Sequence, residues 1–166
     1  MIRIYLASRY SRRIEMEDFA RQLQELGFEI TSEWVWGQRD IVGNPEQAQH
    51  YATLDRLDLL RAELVINFAE PKEVDYPRGS RHVEFGMAYE RGKVCYVVGR
   101  HGASLECVFH NLKGVVIFKD WEELYSHLQQ LAIFATAKRT MKVVAIETVA
   151  IAVPLGEEEL CELNSN

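Results

Sequence analysis

Arg78-Gly79-Ser80-Arg81-His82-Val83-Glu84-Phe85-Gly86-Met87-Ala88-Tyr89-Glu90-Arg91-Gly92-Lys93 is the stretch around which the rest of the chain falls into order. It reads as a loop with a turn over Pro77 to Gly79, then a helix of about three turns closed by Gly92. Glu84 falls near the start of that helix, where unpaired backbone N–H groups and aligned peptide dipoles favour a negative charge. A carboxylate held ionised there, beside a flexible Gly-Ser loop, suits a nucleophile or a charge stabiliser. The plainer alternative is an ordinary capping acid.

Outward from this helix, short apolar runs alternate with helical patterns. On the N-terminal side lie Glu63 to Phe68, a buried strand, and a helix from Pro45 to about Arg61 with proline at its first position. Further back, Trp36 to Asn44 reads as a loop and Phe28 to Trp34 as a strand with alternation. Before them come a helix from about Ile14 to Leu26, the polar turn Ser8 to Arg13, and the strand Ile2 to Ala7. The first helix places Phe19, Leu23 and Leu26 on one face and ends at Gly27. On the C-terminal side, Val94 to Val98 and Val115 to Phe118 are strands, and Asp120 caps a helix through about Leu131 with Trp121, Leu124 and Leu128 on one face. Alternation at this spacing predicts an α/β fold. The expected form is a single flavodoxin- or Rossmann-like, doubly wound parallel sheet of about five strands in the order 2-1-3-4-5. The domain should cover residues 1–134, with residues 135–166 as a C-terminal extension. Within it, Met141 to Val153 reads as a strand that extends the sheet or pairs with another subunit, with a helix continuing from Leu131 as the alternative. The acidic end, Glu157 to Asn166, should be loosely ordered.

The chain has 166 residues, enough for one domain with a real core, and its composition is that of a soluble globular protein. A net charge of −6 and a pI of about 5.4 argue against a general nucleic-acid surface. Cys95, Cys107 and Cys161 form an odd set without CxxC spacing, and no membrane-length apolar run or leader is evident, so a cytoplasmic protein is expected.

In an open parallel sheet, ligands bind beyond the carboxyl ends of the strands where the strand order reverses, here between the first and third strands. The loops at that edge carry Ser8, Arg9, Trp34, Trp36 and the residues from Asp75 to Arg81. Three pieces therefore converge: Ile-Tyr-Leu-Ala-Ser-Arg at 4–9, Leu-Asp-Arg-Leu-Asp-Leu-Leu-Arg-Ala-Glu-Leu-Val-Ile at 54–66, and Gly-Ser-Arg-His-Val-Glu-Phe-Gly-Met-Ala at 79–88. Their order and spacing resemble the nucleoside 2-deoxyribosyltransferase superfamily, which includes 2'-deoxynucleoside 5'-monophosphate N-hydrolases. The resemblance covers roughly residues 2 to 130. It implies cleavage of an N-glycosidic bond with transfer of the sugar to a base or to water. It further implies Glu84 as nucleophile, Asp55 as the second acid or a sugar ligand, and Tyr5 as the residue that orients Glu84. The logic is that of retaining glycosidases, in which a carboxylate meets the positive charge that builds on the sugar carbon. If Asp55 lies close to Glu84, repulsion should raise the pKa of one of them.

Each residue also has a plainer reading. Asp55 and Asp58 could be solvated surface acids, and Tyr5 a core tyrosine. Trp34 and Trp36 either cover the sheet edge or form a flat wall for a nucleobase. The turn Ser8-Arg9-Tyr10-Ser11-Arg12-Arg13 is more basic than a neutral nucleoside requires, and Arg81 and His82 add charge beside Glu84. Ser8, Arg9, Arg12, Ser80 and Arg81 are therefore candidates for binding a 5'-phosphate; against this, Arg12 and Arg13 could simply face solvent near Glu15 and Glu17. His110 and Asn111 sit where members of the family often contribute from a neighbouring subunit, which implies a homodimer or higher oligomer. His101, Cys107 and His110 fit no standard metal spacing, so they read as loop residues and neither metal nor cofactor is expected. The alternative function is a catalytically silent nucleotide-binding or interaction module on the same fold.

Overall fold

The computed structural model describes residues 1–37, 39, 44–70, 79–99 and 107–151, and the side chains up to 137. Five strands, β1 (Arg3–Ala7), β2 (Glu29–Ile30), β3 (Leu64–Phe68), β4 (Val94–Val98) and β5 (Val116–Phe118), form one all-parallel sheet in the order β2-β1-β3-β4-β5. Among the described residues the helices are α1 (Arg13–Glu25), α2 (Pro45–Arg61), α3 (Ser80–Glu90) and, after β5, α4 (Trp121–Ile151). Single 3-10 turns occur at Tyr10–Arg12, Glu33–Val35 and Val108–Asn111. The expected α/β class and strand order are those observed.

The central strands explain the layering. Every residue of β3 is buried, and so are Ile4 to Ala7 of β1, as apolar strands covered on both faces must be. α1 buries Met16, Ala20 and Leu23. Phe19 of α1 lies between Phe68 and Trp121, with ring centroids at 5.6 and 4.0 Å. The helix boundaries follow their punctuation. Asn44 accepts a hydrogen bond from Gln47 N at 3.1 Å and Pro45 opens α2. Gly92, at φ 66°, takes the left-handed conformation that ends α3. Asp120 accepts from Glu123 N at 3.0 Å at the start of α4.

Two expectations fail. The strand expected over 28–34 stops at Ile30, because the side chains beyond it take over its pairing with β1. Ser32 Oγ accepts from Leu6 N at 3.1 Å, and Trp34 Nε1 donates to Leu6 O at 2.9 Å. The strand expected over Met141 to Val153 is not seen among its described residues; Met141 to Ile151 follow the helical alternative, as part of α4. No glycine or proline interrupts the sequence between Trp121 and Pro154, and its alanines, lysines, leucines and methionine propagate a helix. Residues 152–166, including the acidic end, lie outside the described residues. The chain divides into two compact units, Met1–Gln129 and Gln130–Asn166.

Candidate functional site

β1 and β3 are neighbours in the sheet but not in the chain, so their carboxyl ends open a crevice that α2 and α3 flank. Tyr5, fully buried on β1, sends its hydroxyl to Glu84 Oε1 at 3.1 Å. Glu84 is the fifth residue of α3, whose first turn holds no acid. The expected anion at a helix N-terminus is therefore corrected: Glu84 sits in the second turn, out of reach of the unpaired N–H groups. Burial pushes its carboxyl up to about 7, and the charge of Asp55 adds to the rise. The Tyr5 hydrogen bond, Arg39 and Arg81 pull the other way. Burial, then the charges of Glu84 and Asp55, hold the Tyr5 phenol well above its ordinary value, so Tyr5 is a donor to Glu84 at any physiological pH.

Asp55 faces the same crevice from α2. Arg39 Nη1 meets its Oδ2 at 2.8 Å, and the guanidinium lies 4.7 Å over the Tyr51 ring. Burial lowers the pKa of Arg39, but the bond and charge of Asp55 outweigh it. Asp58, the other acid of this helix, has a different task. It is buried, accepts from Glu33 N at 3.0 Å and pairs with Arg61 at 2.7 Å, tying α2 to the Glu33–Val35 turn.

A cleft of about 220 Å³ lies between these groups, lined by Ser8, Tyr10, Trp34, Arg39, Tyr51, Asp55, Ser80 and Glu84, with Ala48 and Ala52. Trp34 belongs to this wall and packs near Tyr10 at 6.4 Å. Trp36 does not; its ring carries the Arg21 guanidinium at 5.6 Å. Ser8 Oγ and Asp55 Oδ1 are buried with no hydrogen-bond partner among the described residues, and both are cleft residues. Buried polar atoms without partners are uncommon and point to groups kept for a ligand.

The arginines expected beside a phosphate gather one step away from the lining, around the end of β3. Arg9 meets Glu70 at 3.5 Å and the fully buried Arg81 meets the same carboxylate at 3.3 Å. Arg12 bonds Glu15 at 2.7 and 2.8 Å and Ala69 O at 3.1 Å, while Arg13 pairs with Glu17 at 2.8 Å. His110 is buried against Asn67, Nε2 to Nδ2 at 3.0 Å, and its ring lies 5.4 Å from that of His82. Asn111 is exposed and bonds Val108 O at 3.3 Å. Neither His110 nor Asn111 lines the cleft. His101, the Asp75–Arg78 loop and most of the loop read over 36–44 lie outside the described residues.

Arg39, Tyr10 and Tyr51 complete the lining without having been singled out in the sequence. Tyr51 had a signal: it precedes Asp55 by four residues on one helix, hence on the same face. Arg39 had none, since a loop arginine carries no periodicity.

No family profile matches the sequence, and no curated protein matches it. Solved structures do match in fold. The 2-deoxyribosyltransferase of Bacillus psychrosaccharolyticus superposes with a TM-score of 0.57 at 19% identity, over 74% of this chain and 90% of that one. The CMP N-glycosidase of Clostridium botulinum gives 0.51 at 24% identity, over 77% and 98%. A conserved protein of Enterococcus faecalis V583 gives 0.55 at 12% identity, over 78% and 98%. At these identities the likeness is one of fold.

Proposed function

We propose that the chain is an enzyme of the nucleoside 2-deoxyribosyltransferase kind, cleaving the N-glycosidic bond of 2'-deoxynucleosides or their 5'-monophosphates. The observation that carries this is a half-buried carboxylate, Glu84, held by the Tyr5 hydroxyl at 3.1 Å in a cleft that also presents Asp55. Two fold neighbours, a deoxyribosyltransferase and a CMP N-glycosidase, share N-glycosidic chemistry, which supports the same class here.

In the proposed reaction an oxygen of Glu84 bonds to C1' as the C1'–N bond breaks, and the bond pair leaves with the base, which takes up a proton from solvent. The glycosyl ester then yields to a second base or to water, which bonds to C1', returns a proton to solvent and releases Glu84 as a carboxylate. Tyr5 orients the attacking oxygen. Asp55 has one oxygen on Arg39 and the other, Oδ1, ready to accept from a sugar hydroxyl. Trp34, Tyr10 and Tyr51 supply aromatic surface for the base, and Ser8 a hydroxyl at the end of β1. A homo-oligomeric, cytoplasmic protein fits this reading.

The test is direct. The protein is incubated with each deoxynucleoside and each deoxynucleoside monophosphate, with and without a free base, and the products are separated by chromatography. Free base without acceptor marks a hydrolase, and a new nucleoside marks a transferase. Binding of nucleotides with no bond cleaved would favour the silent module instead.

A further inference from the structure

On the side of α3 away from the cleft, three side chains of metal-binding type come together. The ligating atoms of His82, Cys107 and His110 all lie within 4.8 Å of one another. His82 comes from the first turn of α3, while Cys107 and His110 enter and close the 3-10 turn that follows β4. Cys107 and His110 are neighbours in one turn, and the fold brings the distant His82 to them.

We propose that His82, Cys107 and His110 form a three-ligand site for a divalent transition-metal ion of zinc type, separate from the Glu84 cleft. Two imidazoles and a thiolate are a borderline-soft donor set, the kind that selects zinc or cobalt over calcium and magnesium. Tetrahedral zinc at about 2.0–2.3 Å from N and S donors places those donors about 3.3–3.6 Å apart. The cluster must therefore close by about an ångström on loading. His82 and Cys107 are only partly buried, so rotation of their side chains supplies this closure.

His110 is the fixed member. It is fully buried, and its Nε2 lies 3.0 Å from the amide of Asn67. Ligating histidines are usually held through their second ring nitrogen by an oxygen. The Asn67 side-chain oxygen is buried and has no hydrogen-bond partner among the described residues. Turning that amide over presents its oxygen to the His110 ring, the partner a ligating histidine needs. Loaded with an ion, the site would clip the start of α3 to the segment after β4. Three protein ligands leave a fourth position for water.

The experiment titrates tag-free protein with Co²⁺, following the near-ultraviolet thiolate-to-cobalt absorption, and then displaces cobalt with Zn²⁺. The expected result is one cobalt per chain, with the thiolate band present. Cys107→Ser should abolish the band and weaken cobalt binding at least ten-fold, and Cys161→Ser should change neither. His82→Ala, a partly exposed position, should weaken binding to a similar degree with an unchanged circular dichroism spectrum. It stands in for Cys107→Ser should that variant fail to fold. A thiolate band that survives Cys107→Ser, or wild-type protein that takes up no cobalt, overturns the site.

Discussion

Replacing Glu84 by glutamine should make the protein more stable while removing its activity. A carboxyl whose pKa rises from 4.5 in the unfolded chain to about 7 in the fold costs stability whenever it must ionise. That cost is absent below about pH 4.5, grows as the pH rises, and is complete above about 7. The full difference corresponds to about 3.4 kcal/mol at about 1.36 kcal/mol per pH unit. Solvent reaching Glu84 through the cleft reduces this, and about 2 kcal/mol is the expected gain at pH 8. Glutamine keeps the shape and still accepts from Tyr5, so little is lost in exchange. For a chain of this size the gain amounts to a rise in Tm of about 4–8 °C. Thermal melts of both proteins by circular dichroism at pH 8 and at pH 4 measure it. The expected result is a large gap at pH 8 that closes at pH 4. Equal melting temperatures at pH 8, or a less stable variant, would refute the idea that the fold holds a destabilised carboxylate here.

Three further outcomes follow from the same geometry. Tyr5→Phe removes a hydrogen bond that lowers the Glu84 pKa, so the rising limb of kcat/KM against pH should move to higher pH, with a loss of about ten- to a hundred-fold near neutrality; an unmoved limb argues against Glu84 as the titrating group. Arg9→Ala should weaken use of deoxynucleoside monophosphates by about ten- to a hundred-fold and leave nucleosides nearly unaffected. Equal losses for both would mean that the Arg9–Glu70 pair is structural. Sedimentation velocity should find an active dimer or larger assembly, since Val83, Val108, Phe109 and Leu112 are all exposed; a fully active monomer would contradict it.

The elements that could be read from the sequence are those whose signals are local. Asn44-Pro45 opened α2 and Gly92 closed α3 because caps act within a few residues. The apolar runs of β1, β3 and β4 required burial wherever they went. What escaped depended on distant partners. Nothing local shows that Ser32 and Trp34 would bond to β1, and in the tail the β-branched residues competed with alanines and lysines that favour a helix. The candidate site divides in the same way. Motif order offered Tyr5, Asp55 and Glu84 as candidates, but not the burial of Glu84, which with the charge of Asp55 raises its pKa where its own helix was expected to keep it ionised. The His82 cluster was missed because the sequence pointed to His101, nearer to His110 in the chain than His82 of α3 is.

The side-chain bonds from Ser32 and Trp34 to Leu6 have a further effect. β2 is only two residues long, so the upper half of β1 would otherwise present an open N–H and C=O at the rim of the sheet. Such a rim invites a foreign strand, and many proteins guard it with charges or prolines. Here a serine hydroxyl and an indole fill both positions at Leu6, and neither can pass the ladder on to another chain. Replacing Ser32 and Trp34 would leave that rim ready to template strand addition, and the first symptom would be loss of material to insoluble aggregate during expression.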